Sequence, residues 1–400
     1  MKLQVLLVIL ILPFTIYGQL DKSVVAYYSF DACSTKDIAG NGNVTQVNGS
    51  PICVCGVSDT ALKFNGINDE LFFIGTVSDN FQNADFTIAF YFKPDVQLGN
   101  QVLLSKREDC NNINALSVNF NLSSSTLTVL MAESDNDKIV LSYQLDKGVC
   151  WQHVVIERRN KAHLLYINDK LVAQQNSTKR LKLGNNDPFG IAKGPCPGEL
   201  KFKGAIDEIY IYNKAIDEPE IKKLYLKPDN IANFDTLIYL GGNVPIKITH
   251  SCASSFSWQP ISGVSDPSNA NATLSPLQTT TYKLEFNVDG CIASDTINIQ
   301  VVDPSTIPCD HVFLPNAFTP NGDGLNDLFG ISNPLVVQAI KSFEIYDSWG
   351  GKMFVTSDVF EKWDGKFNGV EVNPGVYLYK VVFNCKGSEN LQQGSITLMR

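Results

Sequence analysis

Four side chains that carry oxygen atoms lie close together near the end of the chain: Asn321, Asp323, Asn326 and Asp327. Calcium in proteins binds six to eight oxygens from carboxylates and carbonyls, so this group could contribute to a calcium site. It is not an EF-hand loop, because Leu325 stands at a ligand position of that motif. The same residue types also form Asx turns, in which the side chain bonds its own backbone. Both interpretations stay open from the sequence.

The chain contains no motif for enzymatic catalysis. A Gly-x-Ser-x-Gly elbow, a phosphate-binding loop and a dinucleotide fingerprint are all absent from the sequence. Asp207 and Glu208 are adjacent within a strand pattern, so we expect their carboxylates to face opposite sides of a sheet. No two of the four histidines have metal-ligand spacing. The sequence therefore predicts that the protein is not an enzyme.

Ten cysteines follow a predicted signal peptide. Residues 1–18 combine Lys2, an apolar run over 5–12 and a small residue, Gly18, at the cleavage position. An apolar run of this length is too short to span a membrane. Exported cysteines usually form disulfides, and the simplest pairs are Cys252 with Cys291 and Cys309 with Cys385. The pairing of the other six cysteines stays open; they are Cys33, Cys53, Cys55, Cys110, Cys150 and Cys196.

Hydrophobic periodicity predicts an all-β protein. Apolar residues alternate with polar ones over 86–92, 116–122 and 282–288, which indicates strands with one face in a core and the other in water. The single helix is predicted at 217–225. Breaks in the pattern near 226–234 and 303–308 separate a large domain at 19–227 from two small β-sandwich domains at 228–304 and 305–400. A net charge of −9 argues against a nucleic-acid partner.

The large domain resembles the laminin-G-like, concanavalin-type jelly-roll family. The segments that carry the resemblance are VAYYSF at 25–30, DIAGNGN at 37–43, ALKFNGIND at 61–69, FTIAFYFKP at 86–94, WQHVV at 151–155, LYIND at 165–169 and FKGAIDEIYIY at 202–212. The resemblance implies two packed β-sheets and a binding function for a glycan, a protein or calcium. Its Asp69 and Asp207 stand where the family often has acidic calcium ligands, although Asn65 replaces the usual Asp. The alternative is that both carboxylates bond the backbone.

Some glycoside hydrolases share this fold. The β-glucan hydrolases carry a Glu-x-Asp-x-x-Glu run, which this chain lacks. A hydrolase would need two carboxyl groups about 5–5.5 Å or about 6.5–9.5 Å apart. For a sugar-binding surface, Tyr27, Tyr28 and Tyr91 are candidate stacking platforms, with Tyr91 preferred because it lies opposite the core face of its strand. Packing within the sheet is the alternative role of each tyrosine.

The second domain resembles the immunoglobulin-like and PKD-like modules of bacterial surface proteins. The carrying residues are Cys252, Trp258, the TTTYKL segment at 279–284 and Cys291. A tryptophan between paired cysteines is a packing device of such sandwiches. We expect this module to act as a rigid spacer, and a recognition surface is the alternative.

The third domain resembles the gliding-motility-associated C-terminal domain, a type B sorting signal for type IX secretion. The match runs through FLPNAFTPNGDGLND at 313–327, FEIYDSWG at 343–350, WDGKFNG at 363–369, PGVYLY at 374–379 and GSITLMR at 394–400. The residues assigned to the sorting motif are Asn321, Gly322, Asp323, Gly324, Trp363, Asp364, Gly365 and Arg400. The resemblance implies export across the outer membrane by the type IX machinery.

The sequence as a whole predicts an exported, disulfide-stabilised surface or secreted protein. Its leading function is binding or adhesion through a lectin-like jelly roll, with a glycan or surface polymer as partner. The alternatives are a polysaccharide hydrolase or lyase and a structural, protein-binding surface component. Calcium is the one cofactor considered. No membrane-spanning segment is predicted in the mature chain.

Overall fold

The computed structural model describes residues 21–399 except 195, 307–311, 322–324, 335, 336, 338 and 386. The chain forms two compact units. Of the described residues, the first unit contains those up to 234 together with 245–274 and 281–297, and the second contains 235–244, 275–280 and those from 298 onwards. The segment predicted as a separate middle module is thus divided between the units.

The first 212 positions contain the strands of a β-sandwich. They are β1 (Val24–Tyr28), β2 (Val44–Asn48), β3 (Ile52–Cys55), β4 (Thr60–Asn65), β5 (Glu70–Ile74), β6 (Phe86–Pro94), β7 (Asn100–Lys106), β8 (Ala115–Asn121), β9 (Thr126–Ala132), β10 (Lys138–Gln144), β11 (Gln152–Arg159), β12 (Ala162–Ile167), β13 (Lys170–Asn176), β14 (Phe189–Ile191), β15 (Leu200–Lys201) and β16 (Lys203–Tyr212). Short 3₁₀ turns lie at Asp31–Cys33 and Thr76–Phe81.

These strands build two eight-stranded sheets. The first sheet has the order β13-β12-β11-β6-β16-β4-β3, with β1 paired to β16. The second has the order β10-β9-β8-β7-β14-β5-β2, with β15 paired to β7. Strands distant in sequence are neighbours in both sheets, as in a jelly roll. The predicted all-β, two-sheet jelly roll is confirmed.

Alternate residues of the strands fill the space between the sheets. On β6 these are Phe86, Ile88, Phe90 and Phe92, all fully buried, as predicted. The alternation over 86–92 also predicts that the opposite face of β6 lies in water, and this prediction is wrong. Its residues Thr87, Ala89, Tyr91 and Lys93 are buried as well.

A short helix and the segment after it cover that face. Helix α1 (Glu218–Leu224) begins at Asp217, whose side chain accepts the Glu220 N–H at 2.9 Å in a capping box, so the helix predicted at 217–225 is confirmed. Ile221 of α1 packs in one cluster with Ala89, and Tyr225 packs in another that contains Tyr91.

The next segment contains β17 (Thr236–Tyr239), β18 (Val244–Pro245), β19 (Ser255–Gln259), β20 (Thr273–Leu274), β21 (Thr280–Val288) and β22 (Cys291–Val302). β19 pairs antiparallel with β21, and Trp258 lies buried on β19. β17 pairs in parallel with the end of β22. Asp289 and Gly290 connect β21 to β22, and both have positive φ, at 54° and 87°. Such an Asp-Gly pair forms the tight turn of a β-hairpin.

The last segment begins with a 3₁₀ turn at Pro304–Thr306 and continues with β23 (Ala317–Phe318), β24 (Ala339–Tyr346), β25 (Lys352–Thr356), β26 (Lys366–Phe367), β27 (Val370–Glu371), β28 (Gly375–Cys385) and β29 (Ser388–Leu398). Five of these strands form a sheet of order β23-β29-β28-β24-β25. Phe318, Phe329 and Trp363 lie in its core. β28 and β29 pair along their whole length, which closes the domain.

Candidate functional site

A cleft of about 540 Å³ lies at one end of the jelly roll, and we call it the lysine cleft. Lys63 on β4 and Lys93 on β6 both lie opposite Ala205 of the intervening strand β16. Directly opposed residues share a face of a sheet, and so do residues two positions apart, which adds Lys203 to the same face. Lys147, in the loop between β10 and β11, also lines the cleft.

The turn between β21 and β22 forms one wall of the lysine cleft, through residues 288–291. A disulfide joins Cys291 at this turn to Cys150, with their Cα atoms 5.9 Å apart. The Nζ of Lys93 also donates to Oδ2 of Asp289 at 2.9 Å. The wall is therefore held by a covalent bond and by an ion pair. Apolar side chains complete the lining, among them Pro94, Val96, Leu122 and Val149.

Two aspartates of the lysine cleft are neutralised by its lysines. The side chain of Lys93 is only 6% exposed, and its Nζ lies 5.7 Å from the centroid of the Trp151 ring. The hydrogen bond and the charge of Lys93 lower the pKa of Asp289 below its usual value. Lys63 pairs with Asp95 at 2.7 Å. Asp95 and Asp289 are therefore both paired with lysines of the cleft.

The predicted Cys252–Cys291 disulfide is wrong. Cys252 is bonded to Cys55, and Cys291 to Cys150, in both cases to a cysteine of the jelly roll. The prediction assumed that disulfides form only between cysteines of the same domain. Here β19 and the first part of β22 belong to the same compact unit as the jelly roll, and the bonded cysteines are 197 and 141 positions apart.

Two further disulfides lie within the jelly roll, and they join Cys33 to Cys53 and Cys110 to Cys196. Cys385 is also disulfide-bonded. Its predicted partner Cys309 lies outside the described residues.

One group of side chains has the composition of a metal site. The Nε2 of His250 lies 3.9 Å from the sulfurs of both Cys55 and Cys252. A metal requires the thiolate form of cysteine, whereas these two sulfurs are bonded to each other. In its oxidised state this group therefore lacks thiolate ligands.

Asp69 and Asp207, the predicted calcium ligands of the jelly roll, each hold a glycine turn. Asp69 accepts the N–H of Ser50 at 2.8 Å and of Asn65 at 2.9 Å. Asp207 accepts the N–H of Val57 at 2.8 Å. The first turn precedes β3 and the second follows it, so the two carboxylates lie at opposite ends of that strand. Four strand residues separate them by roughly 13 Å, which excludes a shared ion.

Asp207 and Glu208 lie on the same side of the first sheet, which corrects the expectation that they face opposite sides. The pairing of β16 with β6 shifts register between Asp207 and Tyr210, and Glu208 has a φ of 52°. Such a bulge inserts an extra residue into the alternation. Glu208 accepts the hydroxyl of Tyr27 at 2.9 Å, and burial raises the pKa of both carboxyl groups.

The three tyrosines considered as sugar platforms are packing residues. Tyr28 is fully buried against Phe73. The Tyr91 hydroxyl donates to the carbonyl of Leu224 at 3.0 Å, so this preferred candidate is closed off by the last residue of α1. Tyr27 stacks on Tyr210 with ring centroids 4.0 Å apart.

The described part of the C-terminal motif folds onto its own backbone. Asp327 accepts the N–H of Asn321 at 3.0 Å. Trp363 is buried and donates to the carbonyl of Lys366 at 2.8 Å, and Asp364 accepts the Lys366 N–H at 3.0 Å. The neighbouring Gly365 has a φ of 75°. Gly322, Asp323, Gly324 and Arg400 of the predicted motif lie outside the described residues.

The lysine cleft is not predicted by the sequence. Its lysines come from three strands and a loop. Its wall comes from the hairpin turn at Asp289, which lies 86 positions after Lys203, the last of these lysines. The Asp289-Gly290 pair between two apolar runs was the available signal for a hairpin. Nothing in the spacing of the lysines indicates that they share a face.

Comparison with known families gives a match for two parts of the chain. Residues 64–222 match the concanavalin A-like lectin/glucanases superfamily, and residues 312–398 match the CHU_C type IX secretion signal domain. No curated protein matches the sequence. In the part of the chain that is described, no helix is long and apolar enough to cross a membrane.

Several solved structures are similar at low identity. Domain 4 of AbnA, a GH43 extracellular arabinanase from Geobacillus stearothermophilus, is 18% identical with a TM-score of 0.41, over 51% of this chain and 98% of that chain. The binding domain of botulinum neurotoxin serotype D/C is 12% identical with a TM-score of 0.46, over 94% and 93%. The binding domain of Paraclostridial Mosquitocidal Protein 1 is 17% identical with a TM-score of 0.45, over 92% and 88%.

The family matches agree with the two-sheet topology and with the segments that carry the sequence resemblance. Residues 64–222 belong to the concanavalin A-like lectin/glucanase superfamily, and residues 312–398 are a type IX secretion signal domain, which directs export across the outer membrane to the cell surface or the extracellular space.

Proposed function

We propose that this exported protein is a non-catalytic carbohydrate-binding protein that holds its saccharide in the lysine cleft. The observation that carries the proposal is the cleft itself. Its volume of about 540 Å³ falls in the usual range of ligand sites. Its lining combines apolar side chains, which suit the C–H faces of a sugar ring, with ammonium groups that bond hydroxyls.

The cleft is fixed before any ligand arrives. The Cys150–Cys291 disulfide and the Lys93–Asp289 ion pair hold its hairpin wall. Gln152 is fixed as well, because its Nε2 donates to the carbonyls of Asp146 and Val149 at 3.0 and 2.9 Å. A preorganised site loses less conformational freedom on binding, which favours affinity.

The charges of the cleft favour binding over hydrolysis. A glycosidase needs one carboxyl group whose pKa is raised, so that it can act as a general acid. In the lysine cleft Asp95 and Asp289 are each paired with a lysine, and the pKa of Asp289 is lowered. The buried carboxyl groups with a raised pKa do not line the cleft; they are Glu157, Asp207, Glu208 and Asp229.

The test is a screen of polysaccharide binding to the full mature chain and to a variant whose cleft is filled by a larger side chain. Leu122→Trp places an indole in the cleft, whereas Leu171→Trp adds the same group at an exposed site on β13. A panel of soluble polysaccharides is titrated, and reducing ends are measured in the same samples. We expect saturable binding that Leu122→Trp abolishes and Leu171→Trp retains, without release of product.

Each other outcome contradicts part of the proposal. Release of reducing ends would make the chain a hydrolase. Binding that survives Leu122→Trp in a folded protein would place the site elsewhere. Failure of every polysaccharide to bind would favour a structural role or a protein partner. Thermal unfolding of both variants shows whether the fold is retained.

A further inference from the structure

The lysine cleft carries positive charge that its own carboxylates do not neutralise. Two of its lysines, Lys63 and Lys93, are paired with aspartates. Lys147 makes no ion pair within the described part of the chain, and neither does Lys203. The contact of the Lys203 Nζ with the Val96 carbonyl is long, at 3.5 Å. Two ammonium groups are therefore available to a ligand.

The third carboxylate of the cleft is directed into its own loop. Oδ1 of Asp146 accepts the N–H of Gly148 at 2.8 Å, two residues further along. This contact is an Asx turn, which holds the loop that presents Lys147. The aspartate thereby shapes the loop rather than pairing with a lysine of the cleft.

We propose that the lysine cleft selects saccharides that carry anionic groups, carboxylate or sulfate, and that Lys147 and Lys203 bind those groups. This inference rests on the proposed function and adds the substrate class. The chain as a whole has a net charge of −9, so an anionic polymer is repelled by most of its surface. The cleft is thus a local cationic site on an acidic protein, which restricts where such a polymer binds.

The paired lysines have a different role from the two free ones. Lys93 is buried and bonded to the wall, and Lys63 is bonded to Asp95 on the loop after β6. They shape the cleft. Lys147 is exposed and Lys203 is half-buried, so both can reach a bound polymer. Ammonium groups act as point charges and do not favour carboxylate over sulfate, so both anions belong to the proposal.

The experiment compares polymers that differ only in charge. Polygalacturonate is set against its fully methyl-esterified form, and a sulfated galactan against the same galactan after desulfation. Calorimetric titration of the full mature chain is run at low and at high NaCl concentration. We expect the charged member of a pair to bind more tightly, and we expect its affinity to fall as salt rises, because salt screens exposed charges.

The variants assign the effect to the two lysines. The double variant Lys147→Gln, Lys203→Gln is expected to lose about ten-fold in affinity for the anionic polymer, which is typical for two exposed charge contacts. Lys170→Gln removes an exposed lysine of β13 outside the cleft and is expected to bind as the unchanged protein does. Neutral polymers should bind the double variant and the parent equally.

The results separate this inference from the proposed function. Equal binding of charged and neutral polymers, lost in Leu122→Trp but unchanged in the double lysine variant, would overturn the anionic selectivity and leave the saccharide site intact. No binding by any polymer would overturn both. Which charged polymer binds identifies carboxylate or sulfate as the recognised group, and either one supports the proposal.

Discussion

The ammonium group of Lys93 lies 2.9 Å from a carboxylate oxygen of Asp289, and the two residues are 196 positions apart in the chain. The lysine is buried beside Trp151, whereas the Asp289 side chain is 67% exposed. The pair therefore satisfies a buried charge with a partner that reaches in from the β21–β22 turn. It also fixes the wall of the lysine cleft.

We expect Asp289→Asn to lower the free energy of unfolding by about 1 kcal/mol. The change leaves the buried ammonium of Lys93 without a charged partner, but water around the exposed position 289 limits the cost. Urea unfolding measures this change in the free energy of unfolding. Asp135→Asn, at an exposed ion pair with Lys138, is the control and should change the value by less than about 0.5 kcal/mol. Equal effects of the two substitutions would contradict a stabilising role for the pair.

The disulfides should be found as Cys55–Cys252 and Cys150–Cys291. Digestion without reduction, followed by mass spectrometry, is expected to yield peptides that join these pairs. The double variant Cys150→Ser, Cys291→Ser should lower the free energy of unfolding by about 3–5 kcal/mol, because the bridge closes a long loop in the unfolded chain. It should also weaken saccharide binding, since the wall is no longer tied. A peptide joining Cys252 to Cys291 would refute the arrangement.

The sequence was sufficient to predict the sheets but not what covers them. The alternation over 86–92 correctly identified the core face of β6, because a two-residue period follows directly from strand geometry. It could not show that α1 and Tyr225 bury the other face. Whether a half-polar face meets water or another element depends on tertiary packing, as Tyr91 illustrates.

The site escaped prediction for a related reason. An even number of cysteines indicates bridges, but it does not give their partners. Grouping them by domain failed because Cys252, just before β19, and Cys291, the first residue of β22, lie in the same compact unit as the jelly roll. Asp207 and Glu208 were misplaced because a bulge, which no local pattern marked, adds a residue between Ile206 and Ile209.

Gly56 allows the Asp207 carboxylate to bind its turn. A Cβ at position 56 would lie 2.3 Å from Oδ2 of Asp207 and 2.8 Å from the backbone of Thr60. We expect Gly56→Ala to cost about 1–3 kcal/mol in the free energy of unfolding, the usual cost of overpacking. Gly148→Ala is the matched control, because its new Cβ would meet only Asp146 at 3.4 Å. A cost at position 56 no greater than at 148 would show that the turn can move aside.

Asp69 should act as a turn residue rather than as a calcium ligand. Both of its oxygens accept backbone N–H groups, and a Cβ on Gly49 would lie 2.3 Å from Oδ1. We therefore expect EDTA to leave the melting temperature of the full chain unchanged. Asp69→Asn should lower the free energy of unfolding by about 1–3 kcal/mol, because one N–H then faces an amide nitrogen. A melting temperature that rises with calcium in the parent, but not in Asp69→Asn, would restore the calcium interpretation.

His153 should make the fold sensitive to acid. Its ring is buried between Tyr91 and Tyr225, with centroid distances of 4.6 and 5.8 Å, and burial lowers its pKa to about 3. The unfolded chain binds a proton on this residue below about pH 6.5, whereas the folded chain does so only near pH 3. The contribution of His153 to the free energy of unfolding is therefore fully retained above pH 6.5 and is lost as the pH falls toward 3.

The comparison that isolates this effect uses His153→Phe, which keeps the aromatic packing but cannot be protonated. Between pH 7 and pH 5 the parent should lose about 2 kcal/mol more in the free energy of unfolding than the variant does. His163, also buried with a lowered pKa, is present in both proteins, so its contribution cancels. Urea unfolding at the two pH values gives the difference. Parallel losses in parent and variant would mean that the His153 ring is protonated in the folded state at pH 5, and that its surroundings admit water.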